Sequence, residues 1–349
     1  MSDIKFERFE DTFEVLNPLK GFSKEVQTVE IRRDPLLGHT SIYNASIEDK
    51  VKMFVGEVDR FLVERLAAES EMHCFFCPSK IGKVARFPAE LVPKGTISMG
   101  ETVLFPNLFA LGKYHAVAVV SKSHFLELNA FTPELISNAF LAMRELVTAV
   151  YRQDATAIYV NANANYLFPA GASIMHPHFQ LLITPWPYTQ QAHLIQACRD
   201  YLASQGTSYH QDLIDCERTR GERYIGQTEA WHWLCAYAPL GSNEILGVHE
   251  SCGDFAQLTD GDLAALGQGV SSTLRLFESL GHLSFNFTLY ARRHAGNTDG
   301  FNCLIRCMTR QNPYPHYRTD DFFLQKGLQT ELILHLPEAL ASKARPFFL

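Results

Sequence analysis

Two imidazoles stand two residues apart in the stretch GASIMHPHFQ, residues 171–180, at His176 and His178, with Pro177 between them and Gln180 two residues further on. In an extended chain, period-2 spacing puts His176, His178 and Gln180 on one face, and the φ that Pro177 fixes suits such a chain. A neutral imidazole is a good nucleophile toward phosphorus and divides one hard displacement into two through a covalent intermediate. It needs its far nitrogen held as N–H by an acceptor, and donors already aimed at the charge on the phosphoryl oxygens. Gln180 offers an amide donor, and the small-residue loop Gly171-Ala172-Ser173 offers backbone N–H groups and a hydroxyl. His178 is therefore expected as the catalytic nucleophile, with Gln180 beside it. No GxxxxGKS loop competes as a phosphate site.

His176 is then free for another task. Cys74 and Cys77 form a C-x-x-C knuckle in HCFFCPSK, with no βαβ context for a redox pair and no second C-x-x-C to complete a zinc ribbon. A tetrahedral structural zinc takes four N or S ligands, so two must come from histidines that the fold brings near. His73, His115, His124 and His176 are the candidates. His124 lies just past the strand HAVAVVSKSH and His176 begins the strand expected beside it, which favours Cys74, Cys77, His124 and His176, with His115 as the alternative third ligand. The other six cysteines are scattered and read as buried free thiols.

The elements that must position these residues come as an internal repeat at an offset of about 126 residues. In both copies a strand and turn lead into an amphipathic helix, opened by Thr132-Pro133-Glu134 in one and Thr259-Asp260 in the other, each with N-cap chemistry. A strand carrying asparagine follows, AIYVNANAN or LSFNFTLY, and then a last strand, HPHFQLLI or FNCLIRCM. Each copy reads as an α+β unit, a mostly antiparallel sheet crossed by one long helix, with a face or edge that its neighbour must cover. The expected division is 1–187 and 188–349. Residues 188–226 form one or two bridging helices that open the second part. Asn302 and Leu304 stand where the first copy has His176 and His178, so the histidines are not part of the common scaffold.

At 349 residues and 46% hydrophobic content the chain is a folded globular protein. A formal charge of −7 with no basic stripe argues against nucleic-acid binding. No apolar run approaches the roughly 20 residues a membrane span needs, and the acidic N-terminus has no secretory h-region, so a cytoplasmic address is expected.

With Asn165 upstream, GASIMHPHFQ resembles the active-site signature of the galactose-1-phosphate uridylyltransferase family, the nucleotidyltransferase branch of the histidine-triad superfamily. RRDPLLGH, CFFC, FPNLFAL and YHAVAVVSKSH are similar to four further segments of that family, in order. The resemblance runs from about residue 30 to about residue 340. It implies two tandem histidine-triad-like halves, a covalent nucleotidyl-histidine at His178, and zinc at Cys74, Cys77, His124 and His176. It also implies Asn107, Asn165, Ser173 and Gln180 about the nucleotide, with Gly171 and Ala172 in the same loop. Leu108 replaces an acidic residue frequent in the family's nucleotide strand, and only Gln325 or Glu331 stands near the place of its hexose-binding glutamate.

The expected reaction moves a nucleoside monophosphate from a nucleotide sugar to a sugar phosphate. One alternative is a phosphorylase of nucleotide sugars or dinucleoside polyphosphates, with orthophosphate as acceptor. Another is a catalytically silent nucleotide-binding protein. Family members often pair, so a homodimer is a further expectation.

Overall fold

The computed structural model of the protein describes residues 4–48, 56–293, 300–315 and 319–349. Fourteen strands form two sheets among these residues. The small sheet holds β1 (Glu7–Asn17), β2 (Ser23–Arg33), β3 (Thr40–Asn44) and β14 (Thr330–Ile333), in that order. The first three pair antiparallel, and β14 joins β3 in parallel, tying the C-terminal segment to the N-terminal one.

The large sheet is antiparallel throughout. One flank runs β4 (Ile97–Met99), β5 (Thr102–Pro106), β6 (Tyr114–Val119), β8 (His178–Thr184) and β7 (Tyr159–Tyr166). The other runs β12 (Phe285–Arg292), β13 (Leu304–Thr309), β11 (Ile245–His249), β10 (Trp231–Cys235) and β9 (Tyr224–Thr228). Outward from the middle the two flanks have the same order, and β7 and β12 join them from Tyr166↔Phe285 to Tyr159↔Arg292. The repeat thus satisfies its open edge by strand pairing.

Strict alternation decides which side chains face which way. In β7, Val160, Ala162 and Ala164 turn to one face, and Asn161, Asn163 and Asn165 to the other. In β8, Phe179, Leu181 and Ile183 go with the first set, and His178, Gln180 and Leu182 with the second. The apolar face packs on two long helices, α2 (Pro133–Gln153) and α5 (Asp260–Ser279); α1 (Arg60–Glu71) lies earlier in the chain. Thr132 caps α2 by accepting from Leu135 N–H, and Thr259 with Asp262 makes a full capping box on α5. Phe140, Phe179 and Phe287 meet between helices and sheet, each fully buried and worth roughly 2–3 kcal/mol. The helices also approach each other closely: a Cβ on Gly267 would lie 2.1 Å from Ser137 Oγ.

The polar face has two fates. Over the second flank the bridging segment folds as α3 (Thr189–Gln205) and α4 (Tyr209–Arg220), whose Leu194, Ile195 and Leu213 bury Leu246, Val248 and Leu304. Over the first flank the polar face is left for a site. A last helix, α6 (Pro337–Ala344), carries Glu338, which bonds Arg32 and Arg223, each at 2.9 Å, and so locks the small sheet onto the large one. No described helix is long and apolar enough to cross a membrane.

Candidate functional site

Three segments converge at the head of β8. The turn after α1 brings Cys74 and Cys77, the loop after β6 brings His124, and the approach to β8 brings His176; all four are buried. Their ligand atoms lie within 4.8 Å of one another. Cys77 Sγ is 3.4 Å from His124 Nδ1 and 3.5 Å from His176 Nδ1, and Cys74 Sγ is 3.6 Å from His176 Nδ1. A tetrahedron with metal–sulfur bonds of about 2.3 Å and metal–nitrogen bonds of about 2.05 Å has S···N edges of about 3.6 Å. The spacing is that of a four-coordinate metal site.

The tautomers agree. His176 Nε2–H donates to Ser121 O at 2.8 Å. Ser70 Oγ gives its own hydrogen to Ala67 O, so it accepts from His124 Nε2–H at 2.8 Å. Both Nδ1 lone pairs are left facing the sulfurs, as metal-bound histidines require. Burial pushes the Cys77 thiol up to about 11, with the Cys74 sulfur adding to it, and burial draws His176 down to about 4. A divalent cation here takes thiolate and neutral imidazole as its ligands. These residues can therefore hold a metal. His115, the alternative ligand, is not among them.

His178 lies two residues beyond His176 and takes its orientation from it: Nδ1–H donates to His176 O at 2.8 Å, which leaves Nε2 as the lone pair. The Phe76 ring stands steeply against both imidazoles in edge-to-face contacts, with centroids 6.3 Å from His176 and 5.3 Å from His178. Burial lowers the His178 pKa, so the ring is neutral at neutral pH, as a nucleophile must be.

Gln180 is set by a chain that sequence reasoning missed. Leu111 N–H donates to His115 Nδ1 at 3.1 Å, which makes Nε2 the protonated nitrogen; Nε2–H then donates to Gln180 Oε1 at 2.8 Å. With its oxygen engaged, Gln180 presents its NH2 as the donor. Asn107, at the end of β5, folds its loop by accepting from Phe109 N–H at 2.9 Å.

The glycine loop corrects one expectation. Gly171 has φ +88°, where glycine is favoured, and its N–H donates to Phe168 O; Ala172 N–H donates to Leu167 O. Both donors close the loop's own turn, so the backbone N–H groups of Gly171 and Ala172 do not face a ligand. Ser173 in the same loop is exposed. Near Gly171, Asn165 Oδ1 accepts from Asn286 Nδ2 at 2.8 Å across the seam, and Arg310 Nη1 donates to Asn286 Oδ1 at 2.6 Å. The repeat marked Asn286 only as the asparagine of LSFNFTLY, and nothing in sequence spacing announced its bond to Asn165 or the place of Arg310. Gln325 and Glu331 do come together, Nε2 to Oε1 at 2.8 Å, and burial pushes the Glu331 carboxyl up to about 7.

A cleft of about 500 Å³ opens next to Gln180, floored by Asn161, Asn163 and Asn165 and walled by Asn286, Thr288 and Tyr188. At the corresponding place in the second flank, Asn302 Nδ2 donates to His249 O and Glu250 O at 2.9 and 3.0 Å, and Leu304 is buried under α3 and α4. No second group of metal-binding side chains gathers among the described residues.

The chain is 31% identical over 339 residues to an uncharacterized protein of Archaeoglobus fulgidus, covering 97% of this chain and 98% of that one. No family model matches. Among solved structures, an ADP-glucose phosphorylase from Arabidopsis thaliana with bound ADP-glucose superposes with a TM-score of 0.67 at 15% identity, covering 91% of this chain and 98% of that one. A uridylyltransferase mutant gives 0.66 at 16% identity, covering 91% and 97%. What is shared with these two is the fold.

Proposed function

We infer nucleotidyl transfer from one premise: this chain belongs with the Archaeoglobus fulgidus protein to one family, a divergent branch of the histidine-triad superfamily with the galactose-1-phosphate uridylyltransferase fold. A nucleotide sugar donates its nucleoside monophosphate to His178, and a sugar phosphate then takes it. In the first half, the His178 Nε2 lone pair forms a bond to the α-phosphorus. The bond from that phosphorus to the bridging oxygen breaks, and the leaving sugar phosphate keeps the electron pair. In the second half, a phosphate oxygen of the acceptor attacks the same phosphorus and the P–N bond breaks, restoring His178. The Gln180 amide meets the phosphoryl charge, with Asn165 and Ser173 beside the same group and Asn107 toward the nucleoside. Cys74, Cys77, His124 and His176 hold zinc. The metal supplies structural pinning of the loop that carries His178.

The observation that carries this reading is the hydrogen bond from His178 Nδ1–H to His176 O, which leaves one nitrogen nucleophilic and joins its aim to the metal site. The phosphorylase reaction shares the first half and differs only in taking orthophosphate as acceptor.

Intact-protein mass spectrometry after exposure to UDP-glucose and ADP-glucose tests the reading. Wild type should gain the mass of one nucleoside monophosphate, lost in acid. His178→Asn should gain nothing and lose at least 10³-fold in turnover. An unmodified wild type, or a His178→Asn protein with full turnover, refutes the covalent route. Adding galactose 1-phosphate or orthophosphate to the loaded enzyme names the acceptor.

A further inference from the structure

The asparagines of β7 do more than line the cleft. Asn161, Asn163 and Asn165 stand on one face at period 2, and only Asn165 is accounted for beside His178. Asn161 is 3% exposed, yet its Oδ1 has no hydrogen-bond partner among the described residues. Asn163 Nδ2 makes a single long bond, 3.4 Å, to Asn161 O. Thr288 stands opposite Asn163 on β12, and all three side chains line the cleft next to Gln180. A buried amide oxygen without a partner is destabilising, and its persistence at the floor of an open cleft marks a place where a ligand completes the bonding.

The charge of the lining narrows the ligand. Among the described residues its only ionisable cation is Arg310, engaged by Asp320 and Asn286, and it contains no carboxylate. A polyphosphate chain laid there would lose water with no free cation to meet it. Amides donate and accept at once, as do the hydroxyls of a sugar ring. The register fits as well: Asn163 is opposite Gln180, two residues along β8 from His178, which is about 7 Å. A ring joined to the reacting phosphorus directly, as the ribose is, or through one more phosphate, as the hexose is, reaches it.

We propose that Asn161 and Asn163, with Thr288 across the seam, form a subsite for the vicinal hydroxyls of a ring sugar carried by the donor nucleotide, either its hexose or its ribose. The proposal rests on His178 as the nucleotidyl acceptor, and it assigns specificity to residues that the signature around His178 does not include.

The test loads His178 in wild type, Asn161→Leu, Asn163→Leu and the double variant. The donors are UDP-glucose, ADP-glucose, their 2′-deoxyribose forms and a dinucleoside tetraphosphate. Loading is followed against donor concentration, and melting temperature is measured alongside. Each single variant should raise the half-loading concentration about 10-fold and the double about 100-fold, with the limiting loading rate unchanged. Asn161→Leu should melt at or above the wild-type temperature, because it removes an unpartnered buried oxygen; Asn161→Ala reads the same constant if leucine does not fold. A loss confined to the nucleotide hexoses assigns the subsite to the hexose. A loss with every donor that vanishes with the 2′-deoxy forms assigns it to the ribose. Unchanged half-loading, or a slower limiting rate with a lower melting temperature, overturns the proposal. A wild type that loads from no donor refutes the covalent route instead, and calorimetric binding of the same nucleotide hexoses to the same variants then decides the subsite.

Discussion

His115 shows what one side chain can do by touching another. It meets neither metal ligand nor nucleophile, but its Nε2–H holds the Gln180 oxygen and so turns the Gln180 amide donor outward. His115→Phe should leave the fold and the His178 adduct mass intact while lowering kcat by 10- to 100-fold with little change in KM, since the lost donor acts on charge that develops in the transition state. His115→Asn, which keeps a donor, should recover part of that loss in steady-state assays. Sequence reading carried far at this scale for residues joined by spacing along the chain: His176, His178 and Gln180 share a face because strands alternate. It failed where the exact register between strands decides the contact. His115 and Gln180 are 65 positions apart and meet only once β6 and β8 take the register His115↔Leu182, Val117↔Gln180. The same lack of register turned His115 into a candidate ligand and left the bond between Asn286 and Asn165 unseen.

At the scale of elements, the quartet Cys74, Cys77, His124 and His176 brings three connections together: the turn after α1, the loop after β6 and the entry to β8. The zinc reading predicts one zinc per chain by elemental analysis. Cys74→Ser or a strong chelator should lower the melting temperature by several degrees. Amide exchange should then quicken over residues 171–178 and 120–124 and stay unchanged in α5, which packs on the far face of the sheet. The order of strand, turn, helix and strand was legible twice over, because N-caps and period-2 alternation are local signals. The inward turn of the Gly171 and Ala172 N–H groups was not, because a loop's donors can close the loop or face a ligand with the same sequence. Residues 188–226 read as a bridge, and their helices also cover half a sheet. Cover depends on which face needs burying, and no local pattern states that.

Across the whole molecule Glu338 on α6 ties the small sheet to the large one, and within the small sheet Glu331 on β14 carries a charge that matters. Its carboxyl titrates near 7 in the folded protein, raised from 4.5 chiefly by burial, so the native state holds that proton more tightly than the unfolded chain. The group's stabilising effect is complete below about pH 4.5 and is lost as pH rises through 7. Glu331→Gln keeps an acceptor for Gln325 and cannot ionise. Urea unfolding should find it close to wild type at pH 5 and more stable by up to roughly 3 kcal/mol at pH 8. The continuous sheet has an older consequence. Two identical subunits meeting edge to edge must accept every substitution twice, so a change that silences one pocket silences both. With both flanks on one polypeptide, joined at β7 and β12, that coupling ends: one flank can carry an imidazole where the other carries a leucine, and two helices can roof the second flank alone.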